Sequence, residues 1–125
     1  MTHVLLIGIG GFAGAISRYL ISRYLNNLIS IFPLGTLTVN VAGSFVLGFV
    51  MYSIASGKTI PVEIRDLITI GFIGALTTMS TFSYETFRLM ELNELFYSFL
   101  NFILNTALCL GAVYAARFVI ILIYK

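Results

Sequence analysis

Gly74-Ala75-Leu76-Thr77-Thr78-Met79-Ser80-Thr81-Phe82-Ser83-Tyr84-Glu85 is the most unusual segment of the chain. It continues an apolar run, yet five hydroxyl residues fall between Thr77 and Ser83. Hydroxyl side chains offer the backbone alternative hydrogen bonds and can bend a helix. Two readings follow. In one, the helix stays whole and its hydroxyls bond back to its own carbonyls. In the other, the helix breaks near residues 74–82 and presents free carbonyl and amide groups that can hold ions. A break at membrane depth is tolerated only against protein or water.

That this stretch lies at membrane depth follows from its surroundings. The chain has 125 residues, 59% hydrophobic and 10% charged, where soluble domains run at roughly 45–50% apolar and about 25% charged. Its mean hydropathy is +1.03. A globular fold of this size needs charged surface that the chain lacks. Disorder requires low hydrophobicity and high net charge. The bilayer is the remaining solvent, and about 20 residues make one spanning helix. Four apolar stretches appear, at about Val4–Leu25, Leu34–Ala55, Ile64–Phe82 with a continuation to Met90, and Ser98–Tyr124. The runs are too long for barrel strands of about 10 residues. The expected fold is an all-α membrane protein, a single domain over 1–125 with spans near 4–25, 34–55, 64–90 and 98–124. The linkers Asn26–Pro33, Ser56–Pro61 and Glu91–Glu94 are short enough to set neighbouring helices antiparallel. Met1-Thr2-His3 leads into the first run without a basic region or a clear cleavage site, so that run is expected to be a retained span.

Charge patterning bears on topology. With four spans, one side carries Lys58, Arg65, Arg117 and Lys125, and the other Arg23 and Arg88. So weak a bias is compatible with a fixed orientation, or with insertion both ways and pairing of opposite copies. A formal net charge of +2 with scattered basic residues gives no nucleic-acid footprint. Gly8-Ile9-Gly10-Gly11-Phe12-Ala13 fits a loose dinucleotide pattern. It lacks the preceding strand, though, and the first acidic residue is Glu63, so helix packing explains these glycines better. Gly10 and Gly14, Gly43 and Gly48, and Gly71, Gly74 and Ala75 mark close helix contacts.

The candidate chemistry is polar and almost uncharged. Asn40 lies mid-way in the second span with Thr36 and Ser44 four residues either side; Asn101, Asn105 and Cys109 repeat the spacing in the fourth, beside Thr106. Such side chains serve as a polar track, as interhelical glue, or as both. Amides and hydroxyls donate to anions, and the electropositive ring edge of Phe82 can contact a small anion. Arg18, Glu85 and Arg117 are the ionisable residues inside spans; Arg18 and Arg117 can also snorkel, and Glu85 can mouth a pathway, pair with Arg88, or mark a helix end. His3 is terminal and Cys109 has no partner in sequence, so no nucleophile–base pair and no zinc set exists, and an enzyme is not expected.

Three ordered motifs carry a resemblance. They are Gly10-Gly11-x-x-Gly14-x-x-x-Arg18-Tyr19, Pro33-x-Gly35-Thr36-Leu37-x-x-Asn40-x-x-Gly43, and Gly71-x-x-Gly74-x-x-Thr77-Thr78-x-Ser80-Thr81-Phe82-Ser83-x-Glu85, with Asn101 and Asn105 as further support. Over nearly its whole length the chain resembles the bacterial Fluc (CrcB) fluoride channels. The resemblance implies an antiparallel, dual-topology homodimer with two fluoride pores in the bacterial inner membrane, exporting toxic fluoride passively. It implies a structural sodium ion at the dimer interface, held by the backbone carbonyls of Gly74 and Thr77. It places Asn40, Met79, Ser80, Thr81, Phe82 and Asn105 along the fluoride pathway, and Arg18 and Glu85 in the vestibule. Two departures stand out: Met79 occupies a position where the family carries phenylalanine, and Cys109 and Val113 lie where relatives often carry hydroxyls. The rival expectations are a small dual-topology drug exporter, which lacks its first-span glutamate here, and a non-conducting membrane assembly subunit.

Overall fold

The computed structural model describes residues 1–124, all helix and turn among the described residues; Lys125, counted above toward the topology bias, lies outside them. Helix α1 is Thr2–Asn26 and α2 is Leu34–Ala55. The third span is built from pieces: α3 (Val62–Asp66), a π-helical stretch (Leu67–Ile73), α4 (Gly74–Leu76), and, after a break, α5 (Met79–Glu91). Helix α6 is Leu95–Ile123. Four segments, Thr2–Asn26, Leu34–Ala55, Val62–Glu91 and Leu95–Ile123, are long and apolar enough to cross a membrane.

The ends of these helices follow local chemistry. Pro33 and Pro61 stand just before α2 and α3, where a missing N–H costs nothing. The α2–α3 turn closes on Gly57 at φ +95, with Gly57 N–H donating to the Ile54 carbonyl and Lys58 N–H to that of Ser53. The α5–α6 turn repeats the pattern with Asn93 at φ 61. Both satisfy orphan helix carbonyls through a left-handed residue just beyond the last turn.

Backbone contact fixes α1 against the third span. A Cβ on Gly10 would collide with the Leu67 carbonyl oxygen, and one on Gly14 with that of Phe72. A Cβ on Gly71 would lie 2.6 Å from the Ile7 carbonyl oxygen. The π-helical stretch lies directly against these glycines, where its wider turn meets α1 backbone. At the same end, His3 Nε2 donates to Asp66 Oδ2 at 2.9 Å and Arg65 Nε to Asp66 Oδ1 at 2.7 Å, fastening the start of α1 to α3. Helices α2 and α6 form the other close pair, with Gly48 seated against Ala116 and Val113. Of the glycines expected to pack, Gly74 does not do so within one chain: a Cβ placed on it would meet only the Thr69 carbonyl oxygen, at 3.8 Å.

Candidate functional site

The break is a two-residue extended step. Thr77 has φ −81, ψ 156 and Thr78 φ −155, ψ 118, between the helical ends of α4 and α5. Two β-branched residues in succession suit this backbone, and their hydroxyls replace what the helix gives up. Thr77 Oγ1 donates to the Ile73 carbonyl at 3.0 Å. Thr78 Oγ1 caps α5 by accepting the Thr81 N–H at 3.2 Å and itself donates to Thr81 Oγ1 at 3.1 Å. A helix end leaves four carbonyls without partners; here the carbonyls of Gly74, Ala75, Leu76 and Thr77 receive no hydrogen bond among the described residues. The sequence alternative of an unbroken helix is therefore replaced by a break at Thr77–Thr78. Gly43 of α2 makes room for it, since a Cβ there would strike Thr77 Cγ2.

Asn40 splints the break. Its Oδ1 accepts the Thr78 N–H at 2.8 Å and its Nδ2 donates to the Thr78 carbonyl at 3.2 Å, so one side chain pairs with both polar groups of an extended residue. The other Nδ2 proton goes to Asn105 Oδ1 at 3.1 Å. Asn105 Nδ2 donates in turn to Asn101 Oδ1 at 2.9 Å, and Asn101 Nδ2 to Thr86 Oγ1 at 2.9 Å. These asparagines bond across the helices, and Asn40 and Asn105 also line a cavity.

That cavity, about 510 Å³, opens beside the break and is lined by Asn40, Ser44, Thr77, Thr78, Met79, Phe82, Phe102, Asn105, Thr106 and Cys109 among others. Phe82 is buried and stacks on Phe102, ring centroids 6.3 Å apart. Met79 lines the same cavity while remaining 72% exposed, so the cavity gives onto the outer face of the chain. Cys109 belongs to this wall; Val113 instead lies against Gly48 in the α2–α6 seam.

The remaining site residues gather elsewhere. Arg18, Thr81 and Glu85 line a second cavity of about 440 Å³, with Tyr19, Arg23 and Thr36. Thr78 borders both cavities, so the break separates them. Thr36 Oγ1 donates to Glu85 Oε1 at 2.9 Å, while Glu85 Oε2 is buried without a partner. Of the three expectations for Glu85, the pair with Arg88 does not form, because Arg88 bonds Glu91 at 3.0 Å, and Glu85 does not end its helix, which runs to Glu91. Arg23 donates to Tyr19 Oη at 2.6 Å, whereas Arg117 sits over the Tyr52 ring at 6.0 Å. Ser80 lines neither cavity; its hydroxyl meets Thr78 Oγ1 at 3.2 Å. The sequence reading did not single out Thr86, Ser98 or Phe102 at the site. In the sequence Thr86 is one polar residue among several on α5, Ser98 a lone hydroxyl near the start of an apolar run, and Phe102 one ring among many.

A chain with four helices able to span a membrane, the third of them broken, splinted by an asparagine and flanked by two cavities, is a membrane protein with amides and hydroxyls gathered at the break. Its relatives specify the class further. Residues 5–117 match the model of the CrcB-like protein, Camphor Resistance (CrcB) family. A fluoride-specific ion channel of Methanosarcina acetivorans is 48% identical over 117 residues, 94% of this chain and 89% of the relative. One from Methanococcus maripaludis is 50% identical over 117 residues, 94% of each chain, and one from Methanocaldococcus jannaschii 48% over 123 residues, 98% of each. The chain belongs to the CrcB family, and it is a multi-pass membrane protein.

Proposed function

We propose that the chain is a fluoride channel that lets the ion leave the cell down its gradient. The observation that carries this reading is the cavity at the break, where Asn40, Asn105, hydroxyls and the rings of Phe82 and Phe102 meet without any charged side chain. A small anion crossing such a space loses water, and polar side chains with electropositive ring edges can replace it. Fixed cations there would hold the ion rather than pass it. The positive charge of Arg18 and Arg23 sits instead in the second cavity, where it raises the local anion concentration beside the break. Relatives that are named fluoride-specific ion channels over nearly the full length support the same reading.

The working unit in this proposal is an antiparallel pair of chains. Met79 and Gly74 are exposed on the protomer, and the first cavity opens past Met79, so a second copy would close it. The carbonyls of Gly74 and Thr77 fit a sodium ion: they are hard oxygen donors at a helix end, free of other bonds. One chain supplies two such ligands and its copy the others. When bound, the ion would stabilise the broken helix ends electrostatically.

Liposomes loaded with potassium fluoride and holding the purified protein test the function. The expected result is passive fluoride efflux above protein-free vesicles, with chloride retained. Efflux equal to the empty vesicles would point to a non-conducting assembly subunit. Transport of cationic drugs driven by a proton gradient would point to an exporter, for which Glu85, half-buried with one free oxygen, is the available carboxylate.

A further inference from the structure

Behind the first cavity runs one directional chain of hydrogen bonds, and its origin lies outside the cavity. Thr86 Oγ1 donates to the Phe82 carbonyl at 2.7 Å. Asn101 Nδ2 donates to Thr86 Oγ1, Asn105 Nδ2 to Asn101 Oδ1, and Asn40 Nδ2 to Asn105 Oδ1. Asn101 is fully buried, and Ser98, 1% exposed, locks the same layer by donating to the Thr86 carbonyl at 2.8 Å.

The polarity of this chain is set along its length: the Thr78 backbone orients Asn40, the Asn101 carbonyl accepts from Asn105 Nδ2 at 3.2 Å, and the Phe82 carbonyl sets the far end. A carbonyl can only accept, so Thr86 gives its single hydroxyl proton to Phe82 and can offer Asn101 only a lone pair. Asn101 must then turn its NH₂ toward Thr86 and its oxygen toward Asn105. Asn105 in turn faces Asn40 with oxygen, and Asn40 keeps its own oxygen for the Thr78 N–H. An amide is nearly symmetric in shape, and nothing in packing alone distinguishes its oxygen from its nitrogen. We infer that Thr86 and Asn101 are positioning residues of the ion path: neither lines the cavity, and together they anchor the Asn105 amide, and through it Asn40, on the cavity wall. The same chain ties the backbone of Phe82, whose ring lines the cavity, to the break at Thr78. This inference rests on the channel reading above.

The test is a fluoride-efflux cycle on the full-length protein in liposomes, each variant first shown to be monodisperse. Thr86→Val keeps the shape and removes the hydroxyl, leaving Asn101 Nδ2 without an acceptor and its amide free to turn over. Efflux should fall by about tenfold, the factor that the loss of one buried hydrogen bond carries. Thr86→Ser retains the hydroxyl and should restore efflux to within about twofold of wild type, the scatter expected of independent sites. In an Asn105→Ala background, Thr86→Val should cause a much smaller loss than in the wild type, because the chain from Thr86 through Asn101 reaches Asn40 by way of Asn105. A purely structural role would make the two losses multiply. Multiplying losses, or equal efflux for Thr86→Val and wild type, overturn the inference. Absence of fluoride efflux from the wild type would instead overturn the channel reading. Should Thr86→Val not give a monodisperse protein, Asn101→Ala takes its place in the same cycle, with the same two outcomes.

Discussion

Replacing Asn40 by alanine removes the splint of the break, and the structure gives the size of the effect. Three hydrogen bonds disappear: the Thr78 N–H at 2.8 Å, the Thr78 carbonyl at 3.2 Å and Asn105 Oδ1 at 3.1 Å. Interhelical hydrogen bonds in membrane proteins average about 0.6 kcal/mol and reach about 1.7. Three of them together contribute about 2 kcal/mol to the broken geometry, with a ceiling near 5. Two kcal/mol corresponds to about a 30-fold change in the population of the competent conformation. Fluoride efflux from liposomes, read with a fluoride electrode at matched protein density, should therefore fall by about that factor. Asn40→Asp should also fall sharply, because a carboxylate accepts from the Thr78 N–H but cannot donate to the Thr78 carbonyl or to Asn105. Efflux for Asn40→Ala equal to wild type would contradict this role, since it would mean that the break keeps its geometry without the side chain that bonds both polar groups of Thr78.

Phe82→Ile removes the buried ring edge from the first cavity; efflux should drop by at least about tenfold while the protein stays monodisperse, since the aliphatic side chain conserves apolar volume. Gly14→Val drives a side chain into the Phe72 carbonyl, at a cost of about 1–3 kcal/mol or more, and should lower the thermal unfolding midpoint in detergent. Asp66→Ala leaves His3 and Arg65 without their shared buried acceptor and should be the more destabilising change, by about 1–3 kcal/mol in the same assay. His3→Ala, at the half-exposed end of the same contact, should cost less than about 1 kcal/mol. If the carbonyls of Gly74 and Thr77 hold sodium, the unfolding midpoint rises with sodium concentration and does not rise with N-methylglucamine at equal ionic strength; a midpoint indifferent to the cation contradicts that site.

Long apolar runs made the four spans legible, because hydrophobicity over about 20 residues needs no knowledge of neighbours. The hydroxyl cluster marked the break for the same local reason: Thr77 and Thr78 carry the alternative hydrogen bonds with them. The Gly10–Gly14 spacing marked a close contact, but not that its partner is a π-helical turn around Gly71. Helix ends ran beyond the hydropathy limits, to Val62 and Leu95, where Pro61 and the α5–α6 turn set them rather than apolarity. The division of the site into two cavities was not legible, because it depends on which side of Thr78 each residue falls after the chain turns. Thr86 and Ser98 escaped notice because each is an ordinary polar residue until Asn101 is placed opposite. The direction of the amide chain was out of reach as well: spacing puts Asn101 and Asn105 on one face, while their orientation depends on backbone groups at Phe82, Thr78 and Asn101 that the fold brings together.

The most direct measurement is the ratio of fluoride to chloride efflux from liposomes containing the wild-type protein. The cavity beside Thr78, lined by amides, hydroxyls and the rings of Phe82 and Phe102 without a fixed charge, predicts rapid fluoride loss with chloride held inside. Equal loss of both ions, or retention of both, would contradict it.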